Sequence, residues 1–278
     1  MLGHKLVHSW KEKFDVWATV RSDFGKYEKF EIFERDKFIE NVEIENTELL
    51  EDIFIKVKPD VVINAVGVIK QLPSSTDVVN TLTINSIFPH RLAEISKRHG
   101  ARLICISTDC VFSGRKGGYT EEDSSDADDL YGKSKNLGEV VGKNCLTLRT
   151  SIIGRELFTQ HSLVEWFLSN RGGRVKGFVN AIYSGFPTTI LADILADIIE
   201  NQTHLEGLYH VSSEPINKFE LLKLINDAYR ADIEIEPETD FKIDRSLNSD
   251  KFRLKTNFQP PEWSEMIERM ARDNDLYR

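Results

Sequence analysis

Cysteine is scarce in this chain of 278 residues: Cys105, Cys110 and Cys145 are odd in number and lack the spacing of zinc ligands. That argues against a disulfide framework and suits a reducing compartment. Cys105, inside an apolar run, reads as a small buried hydrophobe. Long hydrophobic runs are missing too, since no stretch approaches the roughly 20 apolar residues of a membrane span. Positive charge is in deficit, 36 Lys and Arg against 45 Asp and Glu, which argues against a nucleic-acid-binding face but leaves room for a local basic pocket. No internal repeat or low-complexity linker interrupts the chain. What is present, 40% hydrophobic and 29% charged residues, is enough apolar material to bury a substantial core. The expected class is a soluble, cytoplasmic protein of one large domain or two modest ones.

Apolar periodicity predicts the elements. Leu2, Leu6 and Trp10 recur at a spacing of four and predict a helix from Met1 to Phe14. Asp15 to Arg21 alternates as a short strand, and Asn41 to Ile44 reads as another brief one. Asn46 or Thr47 caps a helix running to Lys58, where Pro59 follows. Val61 to Val66 is β-branched and nearly all apolar, as a strand covered on both faces should be. A helix from Asn85 to His99, the strand Arg102 to Ile106, a polar loop, a helix from Tyr131 and the strand Leu146 to Arg149 complete a repeating β–α rhythm. This predicts an α/β fold with a doubly wound parallel sheet. Residues 1–154 are expected to form the nucleotide-binding domain. Residues 155–278 are expected to be a smaller, mainly substrate-binding part, with some segments returning to the first.

Chemistry concentrates at predicted strand ends. Tyr131 and Lys135 stand four residues apart on one helix face. A free phenol, with pKa near 10, is too weak an acid to shuttle protons readily, and a nearby ammonium favours the phenolate. In isolation this would be an ordinary surface pair. Its surroundings change the weighting: Ser107, Thr108 and Asp109 follow directly on a buried strand, where ligands bind in open α/β sheets. Hydroxyls there can polarise a carbonyl. A second strand ends in Asn64-Ala65-Val66-Gly67, small residues that let a ligand approach the backbone.

With these stretches the chain resembles the extended short-chain dehydrogenase/reductases, specifically the dTDP-4-dehydrorhamnose reductase branch of sugar-nucleotide enzymes. The matching segments are Met1 to Leu6, Pro59 to Gly67, Ser107 to Phe112, Tyr131-Gly-Lys-Ser-Lys135 and Leu148 to Ser151. The resemblance implies that Tyr131 donates a proton to a ketone oxygen while a nicotinamide cofactor delivers hydride. It implies that Lys135 lowers the tyrosine pKa and holds the nicotinamide ribose. Thr108 would hydrogen-bond the reacting oxygen, with Ser107 as the alternative. Met1, Leu2, Gly3, Arg21, Glu43, Ala65, Val66 and Gly67 would complete the cofactor set, and Asp109, Ile152 and His161 would join Thr108 around the substrate, a nucleotide-diphosphate sugar. Related dehydratases carry an acid/base glutamate at the position of Cys110, so reduction is favoured over dehydration. Arg21 closes the second strand of the fold, where an arginine suits the 2′-phosphate of NADP; NAD is the alternative. No metal is implied, and a homodimer is expected.

The start is atypical for the family. A first strand and a Gly-x-x-Gly-x-x-Gly loop should precede the opening helix, and only Gly3 of that loop is present. The expectation is a natural start upstream of Met1, which the intact mass of the natively expressed protein tests; a mass of 278 residues refutes it. His4 and His8 have the spacing of a zinc pair but read as surface helix histidines, because Lys5 replaces the glutamate of a metalloprotease motif. The acidic run Glu121 to Asp129 reads as a solvated loop. Arg115-Lys116, Arg171 to Lys176 and Arg245 are candidates to face a diphosphate. His161 to Trp166 and Tyr183 to Pro187 are candidates to shape the sugar pocket. Two rivals stand beside the reductase: an epimerase, and a non-catalytic binding subunit such as the reductase-like β-subunit of methionine adenosyltransferase.

Overall fold

In the computed structural model, which describes residues 1–70, 76–273 and 277, the apolar stripe of the opening segment forms α1 (Leu2–Trp10). Leu2, Leu6 and Trp10 are buried, and the Trp10 indole donates to the Ala192 carbonyl at 3.1 Å. Two short strands follow, β1 (Ala18–Thr19) and β2 (Phe38–Ile39), paired in parallel. The second lies upstream of the expected Asn41 to Ile44, because Asn41 adopts φ 58°, a left-handed conformation that a strand cannot hold. Helix α2 (Thr47–Val57) is capped as its sequence predicts: Asn46 Oδ1 accepts from Leu49 N at 3.0 Å, and left-handed Lys58 ends it. Strand β3 (Val61–Asn64) stops short of Val66 because Asn64 Oδ1 turns back to accept from Val66 N at 3.1 Å. After α3 (Val78–Leu82), a π-helical turn at 83–87 leads into α4 (Phe88–His99), then β4 (Arg102–Thr108), α5 (Leu130–Leu137) and β5 (Cys145–Thr150).

The second half supplies β6 (Ile152–Ile153), α6 (Leu163–Leu168), β7 (Arg174–Tyr183), β8 (Phe186–Pro187), α7 (Thr188–Glu200) and β9 (Gly207–His210). It continues through β10 (Ile216–Asn217), α8 (Lys218–Tyr229), β11 (Glu234–Asp244), α9 (Asp250–Thr256) and α10 (Trp263–Arg272). The main sheet is parallel, in the order β3-β4-β5-β9, so a strand from the second half returns to the first. A separate sheet runs β10-β7-β11. Leu103, Ile104, Leu146 and Leu148 of β4 and β5 are fully enclosed: Ile104, Leu146 and Leu148 share one apolar cluster with α1 and α7, and Leu103 shares another with α2 and α4. Burial of this kind is the dominant favourable term in folding. Among the described residues no helix is long and apolar enough to cross a membrane. The parallel strands bring Asn64 and Thr108 out at one edge of the sheet.

Candidate active site

Thr108 is the last residue of β4, and its hydroxyl organises the turn that follows: it accepts from Cys110 N and donates to Asp109 Oδ1, both at 3.1 Å. The Tyr131 phenol stands close to this hydroxyl. Helix α5 brings that phenol in. Asp129 caps the helix by accepting from Gly132 N at 2.8 Å. Gly132 is required by proximity, since a Cβ there would stand 2.2 Å from the Cys110 carbonyl oxygen. The Lys135 ammonium reaches across to the Ile106 carbonyl at 2.8 Å. Tyr131, Thr108 and Lys135 therefore meet at the end of β4.

Burial sets the electrostatics. It raises the Tyr131 phenol above its ordinary range, the neighbouring Cys110 and Asp109 add to the effect, and only the Thr108 hydroxyl opposes it. Burial thus favours the protonated phenol. Burial lowers Lys135, offset by Cys105 and Glu139. Burial raises Asp109, and it pushes the Cys110 thiol up to about 12.

The Ser107 hydroxyl is engaged, donating to Glu139 Oε1 at 2.7 Å, while the Thr108 hydroxyl stands close to Tyr131. Ala65, Val66 and Gly67 form an exposed strand end, with Val66 44% exposed. Arg21 and Glu43 are exposed just beyond β1 and β2. Ile152 sits in β6, paired to Phe186. His161 is exposed on a loop, its N–H tied to Glu156 at 2.8 Å, and the structure gives it no contact with Tyr131 or Thr108. Most candidate diphosphate cations are engaged elsewhere. Arg174 pairs with Glu234 and Glu236, Lys176 with Glu238, and Arg115 with Asp128. Arg171 donates to the carbonyls of Arg230 and Tyr229. Tyr183 and Phe186 belong to the core. His4 is not a surface histidine: it is 8% exposed and bonded to Tyr277 Oη at 2.8 Å, next to Lys5, which is buried and paired with the half-buried Asp273. The acidic run is an exposed loop that is also tied down: Asp126 binds Ser113, Asp123 binds Lys116 and Glu121 accepts from His210 N.

Three groups escaped sequence reasoning. Asn85, in the π-helical turn, accepts from Val68 N at 2.9 Å and donates to Val68 O and Ser134 Oγ, stapling the loop after β3 to α5; a buried asparagine in an apolar helix stripe was the only signal. Lys218 makes no hydrogen bond or ion pair among the described residues, yet lies within charge range of Asp109, Cys110 and Arg245. Its chain position, far from the motifs, gave nothing away. His210, fully buried, offers Nε2 to Arg149 at 3.2 Å and Nδ1 to the Tyr119 carbonyl at 3.0 Å, which assigns the proton to Nδ1.

Burial, and then the Arg149 charge, lowers His210 from 6.5 to about 4. A histidine depressed on folding leaves the unfolded chain binding the extra proton, so its stabilising effect is present above pH 6.5 and is lost as pH falls toward 4. Thermal melts between these values should show the melting temperature falling, with His4 contributing in the same direction. His210→Gln should flatten the slope; an unchanged slope would refute the assignment.

The family described as RmlD substrate binding domain matches residues 1–275. A dTDP-4-dehydrorhamnose reductase of Aggregatibacter actinomycetemcomitans is 31% identical over 209 residues, 71% of this chain and 69% of that protein. The methionine adenosyltransferase 2 subunit beta of Danio rerio is 30% identical over 154 residues, 50% of this chain and 47% of that protein. A crystal structure of dTDP-4-dehydrorhamnose reductase from Bacillus anthracis in complex with NADP superposes with a TM-score of 0.73 at 22% identity, covering 92% of this chain and 97% of that one. That last likeness establishes the shared fold.

Proposed function

As the chain belongs to the RmlD substrate binding domain family, we propose that it is an NADPH-dependent reductase of a nucleotide-linked 4-keto-6-deoxy sugar, acting in surface polysaccharide synthesis. The observation that carries this reading is the packing of α5, with Tyr131 and Lys135, against the end of β4 that carries Thr108, where Lys135 Nζ reaches Ile106 O at 2.8 Å. Ketone reduction needs a group that arrives with its proton and gives it to an oxygen becoming an alkoxide.

The residues present fit a nicotinamide cofactor. The exposed apolar Val66 stands at a strand end with Ala65 and Gly67. A Cβ on Gly3 would meet no atom within 4 Å, so the start of α1 is open to a ligand. Ala65, Val66, Gly67, Tyr131 and Lys135 would hold the nicotinamide and its ribose, Met1, Leu2 and Gly3 the pyrophosphate, and Arg21, with Glu43 beside it, the adenosine end. An exposed arginine without a carboxylate partner suits a 2′-phosphate, hence NADP. When bound, the cofactor supplies a hydride to the carbonyl carbon.

Thr108 would exchange its bond to Asp109 for one to the carbonyl oxygen, polarising it. Tyr131 gives its proton to that oxygen, and the Lys135 ammonium stabilises the phenolate that remains. Cys110, kept a thiol by burial, offers no carboxylate for eliminating water. Arg245, whose Nε donates to Phe112 O at 2.8 Å, and the unpaired Lys218 are the cations we assign to the substrate diphosphate. Ile152 and His161 are assigned to the sugar side.

The test is NADPH oxidation with a panel of dTDP- and UDP-linked 4-keto sugars, preceded by a cofactor fluorescence titration. Turnover with at least one sugar is expected. Cofactor binding without turnover of any would favour the second reading, a binding subunit like the methionine adenosyltransferase relative.

A further inference from the structure

Apart from Thr147, whose hydroxyl donates to the Val140 carbonyl, the centre of the sheet that carries the site is apolar until its last full rung. Across β4, β5 and β9, Ile104 pairs with Leu146, and Ile106 with Leu148 and then Tyr209. The next aligned row, Ser107, Arg149 and His210, is polar in all three strands, and each of these residues is buried. Buried polar groups cost free energy unless their hydrogen bonds are made. Here they are made through one residue outside the sheet, Glu139, just beyond α5. Its carboxylate accepts from Ser107 Oγ and from Arg149 Nε and Nη2, all at 2.7 Å. Side-chain exposure of the Arg149–Glu139 pair is only 5% and 8%. Arg149 passes the constraint on to His210, and His210 to Tyr119. Phe112 lies under the guanidinium at 5.1 Å and stacks on Tyr119 at 4.1 Å, so the loop after Thr108 is gripped by the same network.

Two features tie this rung to proton transfer. Ser107 immediately precedes Thr108, and Glu139 follows two residues after the end of the helix that carries Tyr131 and Lys135. We infer that Glu139 is a positioning residue for Tyr131 and Lys135: it ties the end of β4 to the C-terminal end of α5 through Ser107, with Arg149 and His210 holding its carboxylate in place. The inference rests on the reductase reading for its catalytic consequence, and on these bonds together with the charge of Glu139 for its effect on Lys135. The ammonium is drawn toward its neutral form by burial, and Glu139 is one of the two groups that oppose this. Tied through three bonds, the carboxylate can neither rotate to solvent nor collapse onto the ammonium.

The test uses the full chain and two readouts. Competitive acetylation, followed by mass spectrometry of the peptide bearing Lys135, reads the pH at which that amine loses its proton, whether or not any substrate is known. Steady-state kinetics with NADPH and an accepted 4-keto sugar read kcat against KM. In Glu139→Gln the acetylation midpoint of Lys135 should move to lower pH, kcat should fall at least tenfold with KM for the sugar changed less than threefold, and Glu139→Asp should restore part of both. The double variant Glu139→Gln/Arg149→Gln removes both buried charges and serves if the single variant does not fold. It should show the same shift. An acetylation midpoint at the wild-type pH in the folded variant, whatever its melting temperature, overturns the proposal. Wild-type protein inert toward every sugar would count against the reductase reading and leave the acetylation result standing.

Discussion

A Tyr131→Phe variant is expected to lose roughly 10²- to 10⁴-fold in kcat, the span of a positioned proton donor, while binding NADPH as the wild type does. The change removes one oxygen from a side chain that touches Thr108 and leaves α5, its Asp129 cap and the Lys135 bond to Ile106 in place. Because the phenol is raised by burial, its proton is retained at neutral pH, and the loss should not be recovered by lowering the pH. Cofactor affinity separates this from unfolding, since Ala65, Val66, Gly67 and Lys135 are untouched. NADPH fluorescence titration together with initial rates decides the matter. A Tyr131→Phe enzyme within tenfold of wild type would remove Tyr131 as the donor and pass the role to the buried, pKa-raised Asp109.

Arg149→Ala should be the most damaging single change to stability. It leaves the Glu139 carboxylate enclosed with the Ser107 hydroxyl as its remaining hydrogen-bond partner among the described residues, takes away the partner of His210 Nε2, and empties the space over the Phe112 ring. Breaking a buried ion pair from one side costs about 3–5 kcal/mol, which corresponds to about 10 °C in melting temperature for a protein of this size. Arg149→Lys should recover part of this only, because one ammonium cannot reproduce the fork of three bonds that the guanidinium makes. Chemical denaturation of the three proteins measures it. A loss under about 1 kcal/mol, the range of exposed pairs, would show that Glu139 finds another cation and that the rung is not rigid.

The two variants separate what could be read along the chain from what could not. Tyr131 and Lys135 were legible because both lie on one helix, where a spacing of four fixes a common face irrespective of the rest of the molecule. Thr108 was legible because a buried apolar strand announces its own end. Helix α2 was legible down to its cap, since Asn46 and Lys58 act on backbone groups within their own turn. The misreadings have the opposite character. Arg171 to Lys176 looks like an anion-binding run until β11 pairs alongside β7 and its glutamates take the charges. His4 looks like a surface residue until Tyr277 covers it.

By itself, then, the sequence determined the parallel α/β fold, the strand end that carries Thr108, and the pairing of Tyr131 with Lys135, because each depends on periodicity or on contacts within a few residues. Only the tertiary structure decided that Glu139 takes the Ser107 hydroxyl, that burial favours the protonated phenol, and that Ser107, Arg149 and His210 form one buried rung. Those outcomes depend on partners 10 to 61 residues away in the chain and on the exclusion of water around them. Neither is written in local spacing, because strand register and burial are set by the whole fold.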